Sequence, residues 1–149
     1  GNATELRSYR DNRSGIDYVG MDKSARMIEL SHKLFTDSDF IRGDVNNMPF
    51  SNGSFDVVLL KHILEHLRSY DIPIQEALRV SRKAVIVSFL HRLLPGNTDL
   101  IIRNNQGYYD NWFSRNNFHH FLDSLGVKYR SETTPGINNQ TATIYLINK

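Results

Sequence analysis

Two aspartates that follow short apolar segments have the type and spacing that suit ligand binding. Asp22 follows Ile16–Met21, and Asp44 ends a short apolar run that begins at Phe40. Short apolar runs rich in β-branched and aromatic residues predict strands, so each acid is expected at the carboxyl end of a strand. A carboxylate accepts two hydrogen bonds at once and can therefore hold both hydroxyls of a ribose. The alternatives are a helix-capping role for Asp22 and a simple Asx-rich turn for Asp44.

A third apolar run, Phe55–Leu60, is followed by Lys61 and His62. Its continuous apolar character predicts a strand buried on both faces, as in a parallel sheet between helices. Ligands of such sheets bind at the carboxyl ends of the strands, where Asp44 and Lys61 would both lie. His62, with an ordinary pKa of about 6.5, can take a proton from an attacking atom, or it can be a packing residue.

Residues 62–66 also match H-x-x-E-H, a pattern typical of one class of zinc proteases. On a helix, His62 and His66 would share one face and could bind a metal. However, the pattern directly follows the predicted strand, and its apolar residues form a stripe suited to packing against a sheet. We therefore predict no metal site here.

The elements that position these residues follow from hydrophobic periodicity and turn signals. Ser24 is predicted to cap a helix, and a second helix is predicted to start at Asp71. The later predicted elements are a strand at Ala84–Leu90, an irregular insert at about 91–115, a helix capped by Asn116 or Asn117, and a hairpin of Val127–Thr133 with Thr141–Ile147.

The composition is that of one ordinary globular domain. The chain has 149 residues, a formal net charge of +2, no basic run and no cysteine. These features argue against a nucleic-acid groove and are consistent with a cytoplasmic protein. No apolar run approaches the ~20 residues of a membrane span, so we predict no membrane partner.

The segments around the two acids resemble class I S-adenosylmethionine-dependent methyltransferases of the small-molecule, general type. The resemblance rests on the block YVGMDKSARMIELS, on Asp44 followed by Pro49-Phe50, and on Ser54-Phe55-Asp56 before an apolar strand. It implies an α/β, Rossmann-like, mostly parallel sheet with helices on both faces and a C-terminal antiparallel strand. It also implies methyl transfer from S-adenosylmethionine to a small-molecule acceptor that the sequence does not name.

The resemblance further implies roles for individual residues. Asp22 would bind the ribose, Asp44 the adenine amine, and Val45 the adenine ring through its backbone N–H. The methylenes of Lys23 would pack on the base with Met21 and Met48, and the carbonyl of Lys61 would accept from the methionine amino group. His62 is the candidate general base.

Gly1 would match the last glycine of the family's glycine-rich loop, because Asp22 follows it at about the expected spacing. We therefore expect one methyltransferase domain over 1–149 that is N-terminally incomplete; an expression-tag glycine is the alternative. In this fold the 91–115 insert forms part of the substrate wall. Its aromatic residues can stack on a flat ligand or pack the insert onto the sheet: Tyr108, Tyr109, Trp112 and Phe113.

Two other functions share this pattern in part. A non-catalytic domain that keeps the fold as a cofactor- or partner-binding module would carry the same acids. A nicotinamide-dependent Rossmann oxidoreductase would also have an acid after its second strand, but it would not require Asp44 or the Ser54-Phe55-Asp56 strand.

Overall fold

The computed structural model describes residues 15–36, 39–91, 93–135 and 141–149. The chain divides into two compact units, Gly1–Pro49 and Phe50–Lys149. Their strands in chain order are β1 (Val19–Asp22), β2 (Asp39–Arg42), β3 (Phe55–Lys61), β4 (Ser81–Phe89), β5 (Lys128–Pro135) and β6 (Thr141–Asn148). Their helices are α1 (Ala25–Leu34), α2 (Asp71–Val80) and α3 (Arg115–Ser124).

The first unit is a two-stranded parallel sheet with one helix. β1 pairs with β2 so that Gly20 lies opposite Phe40. A Cβ on Gly20 would lie 2.5 Å from Cδ1 of Phe40, so only glycine lets the ring cross the strand there. Ser24 caps α1 as predicted, because its side chain accepts from the N–H of Met27. A small core around Phe35 and Phe40 joins the helix to the sheet.

The second unit is built on a four-stranded sheet with the order β3-β4-β6-β5. β3 and β4 are parallel, whereas β6 runs antiparallel to both β4 and β5. The predicted closing hairpin is therefore confirmed in its two strands. The sequence also predicts the turn of this hairpin at Pro135-Gly136, and residues 136–140 lie outside the described ranges.

Aromatic packing holds the helices of this unit to its sheet. Tyr70, immediately before α2, packs edge-on against Phe113 and Phe118, with ring centroids 4.9 and 5.1 Å apart. Phe118 also contacts Phe89 of β4 and Tyr145 of β6. All five rings are buried, so this cluster is the core of the second unit.

One expectation about β3 is wrong in the described structure. Val57 and Leu59 are 48% and 36% exposed, whereas Leu60, on the opposite face, is buried. β3 lies at the edge of its sheet, and among the described residues no strand pairs with its other edge. The apolar run therefore forms the strand as predicted, but only one of its faces is covered.

Candidate functional site

Asp22 lies at the carboxyl end of β1, as predicted. Its Oδ1 accepts from the N–H of Ser24 at 2.8 Å, and its carbonyl accepts from the N–H of Gly43 at 3.1 Å. Asp22 is paired with Arg42 of β2, and Arg42 comes two residues before Asp44. The pairing thus brings the two acids to the same edge of the sheet. The capping alternative for Asp22 is not realised, because Ser24 caps α1, although Asp22 accepts from the N–H of Ser24 in the turn before the helix.

Asp44 is held by three hydrogen bonds. Its Oδ1 accepts from the backbone and side-chain N–H groups of Asn46 at 2.9 and 2.8 Å, and its Oδ2 lies 2.9 Å from Nζ of Lys23. These bonds, led by the backbone N–H of Asn46 and then by Lys23, lower the pKa of Asp44 to about 2. The Asx turn is therefore present. It also orients a permanently charged carboxylate.

The other predicted nucleoside contacts lie near the same edge. Val45 and Met48 are buried, and Met21 is half-buried. The side chain of Lys23 is 81% exposed and extends to Asp44, so its methylenes pass along this edge. An adenosine has hydrogen-bond donors that suit the two carboxylates, and a flat ring that suits the Val–Met pair and the backbone turn. These residues therefore fit the adenosine part of S-adenosylmethionine.

Lys61 and His62 lie at the carboxyl end of β3. Lys61 is opposite Ser88 of β4, and the N–H of His62 donates to the Ser88 carbonyl at 2.8 Å. His62 has φ of +49°, a left-handed conformation that is uncommon for a residue other than glycine. Such strain persists only where the surroundings enforce it and is concentrated at functional sites. The half-buried His62 is therefore fixed by the backbone at the end of the strand.

The zinc-like segment does not form a helix with both histidines on one face. Leu64–His66 is a single 3-10 turn, and His62 precedes it in the left-handed conformation. Glu65 is 1% exposed, and its Oε1 accepts from the N–H of Leu90. Within the described ranges, no group of three histidine, aspartate or glutamate side chains could hold a metal ion.

The insert after β4 folds back as an irregular hairpin. Leu94 bridges to Ser114, Leu100 to Trp112, and Arg103 to Tyr109. His91, two residues after β4, stacks on Trp112 with centroids 4.3 Å apart and planes 5° apart. Phe113 belongs to the buried core described above. The aromatic residues thus divide between packing the insert and forming a flat surface beside β4.

The predicted residues consequently fall into two groups. Asp22, Lys23, Asp44 and Val45 meet within the first unit, and Lys61 and His62 lie together in the second. Gly1 lies outside the described residues, so its predicted contact with the cofactor stays a prediction.

Comparison with known proteins identifies the family. The sequence pattern of the family described as "Methyltransferase domain" matches residues 1–89, which is more than half of the chain. This chain belongs to that methyltransferase family. The predicted class, an S-adenosylmethionine-dependent methyltransferase with that cofactor, is confirmed. The nicotinamide-dependent alternative is not supported.

Curated relatives support the same assignment. A demethylmenaquinone methyltransferase of Paenarthrobacter aurescens is 33% identical over 98 residues, which cover 64% of this chain and 38% of the relative. A phthiotriol/phenolphthiotriol dimycocerosates methyltransferase of Mycobacterium tuberculosis is 39% identical over 70 residues, covering 44% of this chain and 25% of that protein. This methyltransferase chain thus spans less than half the length of these relatives.

Solved methyltransferase structures share the fold. A S-adenosylmethionine-dependent methyltransferase of Methanosarcina mazei superposes with a TM-score of 0.75 at 12% identity, covering 100% of this chain and 88% of that one. A didemethyltoxoflavin N1-methyltransferase of Burkholderia thailandensis gives 0.77 at 13% identity, with coverages of 100% and 67%. The predicted Rossmann-like fold class is confirmed.

Sequence reasoning missed two buried polar residues of this methyltransferase. Glu65 was considered only within a metal pattern, and Asn111 was not singled out, yet Asn111 is fully buried and forms three hydrogen bonds to two other segments of the chain. Neither has a local sequence signal, because each bonds to backbone groups that are distant in the chain.

Proposed function

We propose that the protein containing this chain transfers the methyl group of S-adenosylmethionine to a small-molecule acceptor with a flat ring system. The observation that carries the proposal is the pair of carboxylates, Asp22 and Asp44, at the carboxyl ends of two paired parallel strands. Ligands of open α/β sheets bind at this edge.

Each predicted site residue of the first unit has a role in binding the nucleoside. Asp22 accepts from the ribose hydroxyls, while its Oδ1 keeps the bond to Ser24. Asp44 accepts from the adenine amine. A carboxylate has about four acceptor positions in all, so it can form this hydrogen bond in addition to those it already makes. Lys23 lies along the base and holds Oδ2 of Asp44. The N–H of Val45 donates to the ring.

The second unit has the roles of orienting the reacting groups and accepting a proton. The bound cofactor supplies an electrophilic methyl group on a positively charged sulfur. The Lys61 carbonyl accepts from the methionine amino group. His62 would take up the proton that the nucleophilic atom of the acceptor loses when that atom bonds to the methyl carbon; the bond from this carbon to sulfur would break, and S-adenosylhomocysteine would be the leaving group. The left-handed backbone of His62 supports this role, because such conformations are concentrated at functional sites.

The acceptor class is proposed from the insert and from the relatives. The His91–Trp112 stack offers a planar surface two residues beyond β4. The names of relatives give demethylmenaquinone and ajmaline as acceptors of those proteins. The absence of cysteine supports a cytoplasmic location, and the small net charge favours a small-molecule partner over a nucleic acid. Within the described ranges, no helix has the length and apolar character needed to cross a membrane.

The test is formation of S-adenosylhomocysteine by the purified protein, followed by mass spectrometry, with reduced demethylmenaquinone and ajmaline as the first acceptors. Acceptor-dependent product formation supports the proposal. Tight binding of S-adenosylhomocysteine without turnover on any ring compound would instead favour the non-catalytic binding module.

A further inference from the structure

We propose that Asn111 is a positioning residue that locks the 91–115 insert onto the turn after β3 and thereby fixes the acceptor side of the site. This inference rests on the proposed function, because it assumes that the acceptor lies beside the carboxyl ends of β3 and β4. The contacts that lead to it all lie within the second unit.

Asn111 uses its backbone and both side-chain polar atoms to join two parts of the chain. Its N–H donates to the carbonyl of Glu65 at 2.9 Å, and its Nδ2 donates to the carbonyl of Leu67 at 2.7 Å. Its Oδ1 accepts from the N–H of Ile102, on the other side of the insert, at 3.0 Å. Since Asn111 is fully buried, water does not replace these bonds when one is lost.

The turn that receives Asn111 is itself anchored. The buried Glu65 carboxylate accepts from the N–H of Leu90, immediately after β4. Nδ1 of His66 lies 3.0 Å from the carbonyl of Tyr109, which adds a second link to the insert. The segments after β3 and β4 and the returning side of the insert are therefore joined in one polar network.

This network determines where Trp112 lies. Trp112 follows Asn111 directly, pairs with Leu100, and stacks on His91. By contrast, the exposed Asn104 at the tip of the insert bonds to Gln106 and Tyr108 within the tip itself. Loss of Asn111 should therefore displace the stack, whereas loss of Asn104 should disturb only the tip.

The chain provides its own reporter, because Trp112 is the only tryptophan. We expect Asn111→Ala to shift the Trp112 emission to longer wavelength and to increase its quenching by acrylamide. We also expect its KM for any acceptor that the wild-type protein methylates to rise about tenfold, a loss consistent with one buried hydrogen bond. The affinity for S-adenosylhomocysteine should be unchanged. The matched control, Asn104→Ala, should leave emission, quenching and KM at their wild-type values.

His66→Ala covers the case in which the Asn111→Ala variant does not fold. His66 is exposed, and its Nδ1 links the same turn to the carbonyl of Tyr109 in the insert, so we expect a smaller shift in the same direction. Wild-type emission and quenching in both variants would overturn the proposal, as would equal losses of acceptor and S-adenosylhomocysteine binding, which indicate general destabilisation. The fluorescence experiments need no acceptor. A shifted emission without methyl transfer to any acceptor would therefore refute the proposed function while leaving the Asn111 contact established.

Discussion

Replacing Asp22 gives the sharpest test of the cofactor site. Asp22→Ala removes the acceptor proposed for two ribose hydroxyls, and hydrogen bonds to a charged group contribute about 1.5–3 kcal/mol each. Water recovers part of this, so we expect a net loss of about 1.4–2.8 kcal/mol, or tenfold to a hundredfold in affinity. The variant also loses the bond to the N–H of Ser24. Asp22→Asn retains one oxygen for that bond, so its affinity should fall less.

Calorimetric titration with S-adenosylhomocysteine measures these affinities, and a thermal melt of each variant shows whether it is folded. The matched control is Asp39→Asn, because Asp39 belongs to the same two-stranded sheet but begins β2 at the opposite edge. It should bind as the wild type does. A folded Asp22→Ala variant with wild-type affinity would show that the ribose binds elsewhere.

Three further predictions concern the second unit. In His62→Asn, the asparagine tolerates the left-handed backbone but cannot act as a base. This variant should lower kcat about a hundredfold and leave the affinity for S-adenosylhomocysteine unchanged. Near-normal turnover would mean that bringing the reactants together is sufficient without a base. Trp112→Ala should raise the acceptor KM and spare cofactor binding, whereas equal loss of both would show a purely structural role. Burial lowers the pKa of His119 below its ordinary 6.5. The unfolded chain therefore binds more protons than the folded chain as the pH falls below about 6.5. The free energy of unfolding that is present above this pH is lost as the pH falls. The melting temperature should fall less between pH 7.5 and 5.5 in His119→Gln; an identical fall in both proteins would contradict this.

The elements next to the acids were predictable because their signals are local. A serine directly before an apolar period predicts the cap of α1, and Pro73 inside the first turn of α2 marks its start. The parallel pairing then places Asp22 and Asp44 together without further information.

Two errors concern α3: its cap, which is a local feature, and the partner of His119, which is far away in the chain. Ser114 caps α3, where we expected Asn116 or Asn117, because the side chain of Ser114 accepts from the N–H of Asn117. The period of apolar residues in α3 leaves out His119, yet its Nε2 lies 2.8 Å from the hydroxyl of the buried Tyr145. A helical period does not reveal a partner on a strand that comes 26 residues later.

The charge state of Asp44 determines how a pH profile of this methyltransferase should be interpreted. With a pKa of about 2, Asp44 stays ionised at every pH at which a histidine titrates, so it accepts the same hydrogen bonds from pH 5 to 8. The N–H groups of Asn46 and the ammonium of Lys23 hold the pKa of Asp44 at this low value. A fall in turnover below about pH 6.5 at constant S-adenosylhomocysteine affinity therefore points away from the adenine site and towards a proton acceptor such as His62.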